Sequence, residues 1–150
     1  MYPNVKATEQ VAILDTISPV SQGAGSATTA WVSFQNFNKI RALVQVGVFG
    51  ASATVDANVQ QATDSSGTGA KAFTNIKAVT QMLAAGGNNK QAIINIDAQE
   101  LDVENSFYFI RLTITVGTAA TLIAGTLEGY VPRNATADAF NNAAVTQLVG

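Results

Sequence analysis

Between Phe107 and Val116 apolar and polar residues take turns. Tyr108, Ile110, Leu112, Ile114 and Val116 fall on one side of an extended chain, and Arg111, Thr113 and Thr115 on the other. Successive side chains of a strand point to opposite faces of its sheet, so a repeat of two marks a half-buried strand and does not suit a helix. The pattern recurs. From Ile40 to Val48 it places Ile40, Ala42, Val44, Val46 and Val48 together, with Arg41, Leu43, Gln45 and Gly47 between them. From Ala53 to Gln61 it groups Ala53, Val55, Ala57 and Val59 against Thr54, Asp56, Asn58 and Gln60. Val11–Ile17, Ala30–Phe34, Gln91–Asp97 and Ala120–Val131 also read as strands. They are punctuated by Ser18-Pro19, a Gly/Ser/Thr-rich loop, Gly86-Gly87-Asn88-Asn89 and Pro132. Short strands at this spacing predict an all-β sandwich or barrel, not alternating βα units.

One segment fits two periods. Read as a helix, "KAFTNIKAVTQMLAAGG" gathers Phe73, Ile76, Val79 or Thr80, and Leu83 on one face, with Gly86 as the stop. Read as a strand, it sends Phe73 and Ile76 to opposite faces. The expectation is a strand over Ala70–Ala78, then a helical turn through Met82 and Leu83.

The chain has 150 residues, enough for one domain with a sizeable core. Charged residues make up 12% of it, against about 25% in ordinary globular chains. Asn, Gln, Ser and Thr must therefore solvate the surface, which suits it to lie against other protein. The net charge is -2 and the basic residues are scattered, so no electrostatic footprint for nucleic acid or an anionic membrane exists. Cysteine and histidine are absent. Disulfides, the usual zinc sites, a cysteine nucleophile and a histidine base are thereby excluded. Missing disulfides fit assembly in a reducing cytoplasm. The N-terminus does not read as a signal peptide, and no apolar run approaches the roughly 20 residues that span a bilayer.

Two stretches look like chemistry. "VQQATDSSGTGAKAF", Val59 to Phe73, holds Asp64, two serines, Gly67, Gly69 and Lys71. It lacks the glycine spacing of a phosphate loop or a dinucleotide fingerprint, and its single carboxylate cannot make an EF-hand. Turn chemistry accounts for every residue: Asp64 and the serines bond nearby backbone, and the glycines permit positive φ. The expectation is a hairpin joining Thr54–Thr63 to Ala70–Ala78. "DAQELDVEN" clusters Asp97, Glu100, Asp102 and Glu104. It could hold a divalent cation or a glycosidase pair, but nothing in the spacing fixes a separation. The preferred reading is a solvated turn with Leu101 and Val103 tucked beneath it. Trp31 reads as core, and Phe107, Tyr108 and Phe109 as a trio with one side outward. No serine stands in a "GxSxG" context. No catalytic, cofactor-binding or metal-binding residue is assigned, and the chain reads as a non-enzyme.

"VQQATDSSGTGAKAF", "AVTQML", "ELDVENSFYFIRLTITVG" and "GTLEGYVPRNATADA" together resemble a group of small tailed-bacteriophage virion proteins. The resemblance covers Val44 to Ala137, and "QATDSSGTGAK" and "LDVENSFYFIRL" are its most specific parts. It implies a capsid decoration, or cement, protein on the outer surface of the virion, bound to the major capsid protein and bridging capsomers. It implies no catalytic motif and no cofactor. The alternative is a head fibre or a tail/receptor-binding component with a carbohydrate-binding β-domain.

The expected organisation is an N-terminal arm at 1–10, a jelly-roll-like antiparallel β-sandwich at 11–132 and a C-terminal arm at 133–150. The arms carry spaced anchors: Tyr2 and Pro3 at the front, and Arg133, Phe140, Val145 and Leu148 at the back. The expected partners are the major capsid protein and a second copy of the chain, a dimer ahead of a trimer.

Overall fold

The computed structural model describes residues 4–149. A short helix α1 (Ala7–Gln10) leads into β1 (Val11–Gln22), β2 (Gly25–Thr28), β3 (Val32–Ser33), β4 (Phe37–Val46) and β5 (Thr54–Ala62). Then come β6 (Lys71–Ala72), β7 (Met82–Leu83), a helical turn α2 (Ala84–Gly87), β8 (Lys90–Asp97), β9 (Phe109–Gly117) and β10 (Thr121–Pro132).

The strands form two antiparallel sheets. One has the order β1-β10-β4-β8. The other runs β2-β9-β5-β6, with β3 also on β9 and β7 also on β5. Segments β2 and β3 follow one another along β9 as one interrupted edge strand. Segments β6 and β7 do the same along β5. Counted that way there are eight strands, and their sheet order is that of a jelly roll. The expected fold class is the one observed.

The core lies between the inner faces. Ile40, Ala42, Val44 and Val46 of β4 and Ile123 and Leu127 of β10 oppose Val55, Ala57 and Val59 of β5 and Ile110, Leu112, Ile114 and Val116 of β9. Those of β4, β5 and β9 are residues that the two-residue repeat groups together. Gly129 makes room for a ring: a Cβ there would stand 2.8 Å from Phe37, which is itself buried. Val48 departs from the pattern. Strand β4 ends at Val46, Val48 turns to solvent and Phe49 goes in instead.

Other boundaries differ for physical reasons. Strand β1 does not stop at Ser18-Pro19 but runs on to Gln22, with register shifts between Ile13 and Asp15 and between Ile17 and Val20. Proline is tolerated at a bulge on an edge strand, where its missing N–H breaks no ladder bond. The strand expected over Ala30–Phe34 shrinks to Val32–Ser33, and the glycine-bearing Gly25–Thr28 supplies the main pairing. Thr29 joins the two: its N–H donates to Leu112 O at 3.0 Å, and its Oγ1 accepts from Leu112 N at 3.1 Å.

The strand expected over Ala70–Ala78 is broken. Only Lys71–Ala72 and an isolated bridge at Ala78 pair with β5. Between them Phe73 turns into the core and Lys77 reaches Glu100, so the chain bows outward and leaves Ile76 76% exposed. Met82 and Leu83 are a strand and not a helical turn; the turn follows them at Ala84–Gly87.

Beyond Pro132 the chain folds back along β1. Ala137 is fully buried, and the Phe140 ring packs edge-on against Phe37 with centroids 5.5 Å apart. Asn142 N–H donates to Ile13 O at 2.7 Å, and Ile13 N–H donates to the Asn141 side chain at 2.8 Å. Asn142 Nδ2 donates to Asp15 at 2.7 Å. This segment covers part of the β1 edge.

Candidate contact surfaces

The stretch Val59–Phe73 is a hairpin connection between β5 and β6, with Gln61 opposite Lys71. Asp64 Oδ1 accepts from Ser66 N at 2.9 Å and Thr68 N at 3.0 Å, and Gly67 and Gly69 have φ of 84° and 65°. Hydrogen bonds from Thr68, side chain first and then backbone, hold the Asp64 carboxyl below its ordinary range. The turn chemistry expected of Asp64, Gly67 and Gly69 is present. Sequence reasoning missed a contact across the fold. Gly67 lies beneath Trp31, so close that a Cβ would stand 2.3 Å from the indole Nε1.

The turn at Asp97–Asn105 is two short 3-10 turns, Ala98–Glu100 and Val103–Asn105. Leu101 is buried beneath it as expected. Val103 is not: it is exposed at the surface. The carboxylates do not converge on a common point, and three of the four pair with lysines from three different segments. Asp97 meets Lys39 at 3.0 Å, Glu100 meets Lys77 at 2.6 Å, and Asp102 binds Lys71. Lys71 foremost, and then Asn105, hold the Asp102 carboxyl below its usual range. Glu100 also accepts from Asp97 N at 2.8 Å, closing a capping box.

The two stretches meet at one pole of the sandwich. Gln61 is only 2% exposed; its Oε1 accepts from Asp102 N at 2.9 Å and its Nε2 donates to Ala72 O at 3.4 Å. The Lys71 ammonium, bound to Asp102, also lies 4.0 Å from the Phe107 ring centroid. The residues that look reactive in the sequence bind one another. A buried polar side chain with its partners supplied fixes the geometry around it, and Gln61 plays that part here.

The aromatics serve similar ends. Trp31 is half-buried rather than core, with Arg111 stacked 4.5 Å from its centroid. Phe107 is buried, while Tyr108 and Phe109 are half-buried. Tyr108 OH donates to Val103 O at 3.3 Å.

The residues expected to anchor neighbours are distributed as follows. Tyr2 and Pro3 lie outside the described residues. Arg133 is exposed, yet its Nε donates to Asn38 at 3.1 Å and its backbone N–H to Asn36 O at 2.9 Å. Phe140 packs on its own subunit's Phe37. Val145 is half-buried, and its N–H donates to Asn142 O at 2.9 Å. Leu148 is 53% exposed.

The outer faces of the two sheets differ. On β2-β9-β5 the outward residues are mostly polar: Ser26, Asn58, Thr113 and Thr115 lie beside Asp56, Gln60 and Arg111, and Ser26 and Thr115 share a 2.8 Å hydroxyl bond. On β1-β10-β4-β8 the outer face has two halves. Arg41 binds Glu128, which also accepts from Tyr130 OH at 2.7 Å. Further along, the face is largely amide and apolar: Gln45, Gln91, Leu122 and Val20 are exposed, with Lys90, around an open depression of about 520 Å³. No helix among the described residues is long and apolar enough to cross a membrane.

No family model matches the chain, and no curated protein matches it in sequence. Among solved structures, the SPBc2 prophage-derived protein YomS superposes with a TM-score of 0.43 at 10% identity, over 79% of this chain and 93% of that one. A chain of the Triatoma virus empty capsid gives 0.46 at 9% identity, over 91% and 99%. The CBM22-2 xylan-binding domain of Paenibacillus barcinonensis Xyn10C gives 0.39 at 7%, over 82% and 99%. At these scores the likenesses carry no argument about role.

Proposed function

We propose that this chain is a tailed-bacteriophage capsid decoration protein. It binds the outside of the major capsid protein shell, bridges capsomers and associates with itself. It sits on the virion surface and acts by adhesion, transforming no substrate. The observation that carries this reading is the fate of the two stretches most specific to the resemblance. "QATDSSGTGAK" and "LDVENSFYFIRL" come together at one pole through Gln61, Lys71, Asp102 and Phe107, and their polar groups bond to one another. A site built for turnover leaves a nucleophile, acid or base pointing at open space. This pole is instead a rigid clasp, suited to hold a surface in shape. The charge-poor outer faces support the same reading, because association need strip few charges of water. Many symmetric copies let individually weak contacts add up.

The test is binding to shells assembled from the major capsid protein of the same phage and lacking this protein. The expected result is saturable co-sedimentation and a higher temperature of shell opening. Absence of binding overturns the reading. Hits on a glycan array would support the receptor-binding alternative, and a hydrolase activity lost in Asp97→Asn or Asp102→Asn would support an enzyme.

A further inference from the structure

A sheet edge presents unpaired N–H and C=O groups, and proteins blunt such edges with proline, bulges, brevity or a covering segment. This fold treats its edges unequally. Strand β1 carries Pro19 and two register shifts, and the segment at Asn141–Asn142 lies against it. The β2–β3 edge is short and interrupted, and the β6–β7 edge is broken. Strand β8 has none of these devices. It is eight residues long, unbroken and without proline, and among the described residues no strand pairs with its outer side. At its middle Ile93 is 54% exposed, and across an open groove stands the exposed Ile76 of the outward bow.

We propose that the free edge of β8 pairs antiparallel with β8 of a second copy, about a two-fold axis normal to the sheet. This specifies how the self-association in the capsid reading is made and rests on that reading for the claim that copies associate. The sequence of β8 is complementary to itself in that arrangement. Residues opposite one another in a continuous sheet must share a face, so Ile93 stands opposite Ile93, and Gln91 opposite Asn95. Both glutamines and both asparagines are on the outward face and exposed. In this register residues 90–96 of each strand run together, for about 24 Å at roughly 3.4 Å per residue. The same axis brings the two exposed Ile76 side chains towards one joint. The pairing joins the two sheets into one of eight strands, leaving the covered β1 edges outermost.

Sedimentation of the purified chain tests this. The expected result is a dimer that Ile93→Lys dissociates by at least tenfold, because the two-fold sets the introduced lysines face to face. Leu122→Lys, which alters an exposed leucine on the same face but away from β8, should leave the dimer intact. The chain has no cysteine, so Ile93→Cys adds a lone thiol. Mild oxidation should link it to its counterpart and leave the strand signal in circular dichroism unchanged. A monomer at the highest soluble concentration, or a dimer indifferent to Ile93→Lys and not crosslinked through Cys at 93, overturns the proposal. A chain that binds shells but stays monomeric loses this inference and keeps the capsid reading. One that pairs through β8 but ignores shells does the reverse.

Discussion

Gly67 has to satisfy two demands at once. Its φ of 84° belongs to a region that side-chain-bearing residues seldom enter, and Trp31 closes over the spot where a Cβ would go. Gly67→Ala should therefore cost about 1–3 kcal/mol, through backbone strain and displacement of the indole. Gly23→Ala, with nothing within 4 Å of its Cβ position, should stay within about 0.5 kcal/mol. Urea unfolding of the two variants measures the contrast. Tyr130 gives a pH test. Burial first, and then the Glu128 carboxylate, push its hydroxyl up to about 12 from 10.0. Folding thus favours the protonated phenol, so the stability it contributes is complete below pH 10 and drains away as the pH climbs towards 12. The difference in unfolding free energy between the natural chain and Tyr130→Phe should shrink over that interval.

At the scale of elements, the segment after Pro132 divides at Asn142. Up to that point it is bonded to β1 and inserted beside Phe37; beyond it the side chains are mostly exposed. Deleting 143–150 should leave the unfolding midpoint nearly unchanged. Phe140→Ala should cost about 2–3 kcal/mol, somewhat below a fully buried phenylalanine. Chemical denaturation of both variants reads this directly. Sequence patterning sees the body of the sandwich well, since one half-buried face per strand imprints itself as alternation: β4, β5 and β9 lie within a few residues of where Ile40–Val48, Ala53–Gln61 and Phe107–Val116 place them. It sees edges poorly. Gly25–Thr28 is small and exposed, so no apolar repeat announces it, and the run from Ala70 to Ala78 breaks because Phe73 and Lys77 find partners on distant elements. The hairpin around Asp64 was legible because its bonds are local. The clasp made by Gln61 was not, because Gln61 and Asp102 are 41 residues apart and either amide or acid would suit a solvated turn equally well.

The molecule as a whole is asymmetric from side to side. One flank of the first sheet is finished: bulged, bearing proline and overlaid by the chain's own returning segment. The other ends in a plain strand. Long-range strand pairings dominate a fold of this kind, so it has to close many loops before its contacts reward it. An unfinished flank is then a hazard during folding unless something occupies it. The amide-rich, charge-poor surface fits a molecule whose working state is assembled.

Val11 sits opposite Tyr130, at the start of β1 and near the close of β10. The polypeptide thus enters and leaves its sandwich at a single corner, three strands away from the plain flank. A peptide or small domain spliced in ahead of residue 11 and another added past Asn142 would emerge side by side. Two unlike cargoes could therefore be presented as neighbours on one molecule, with the opposite flank left clear.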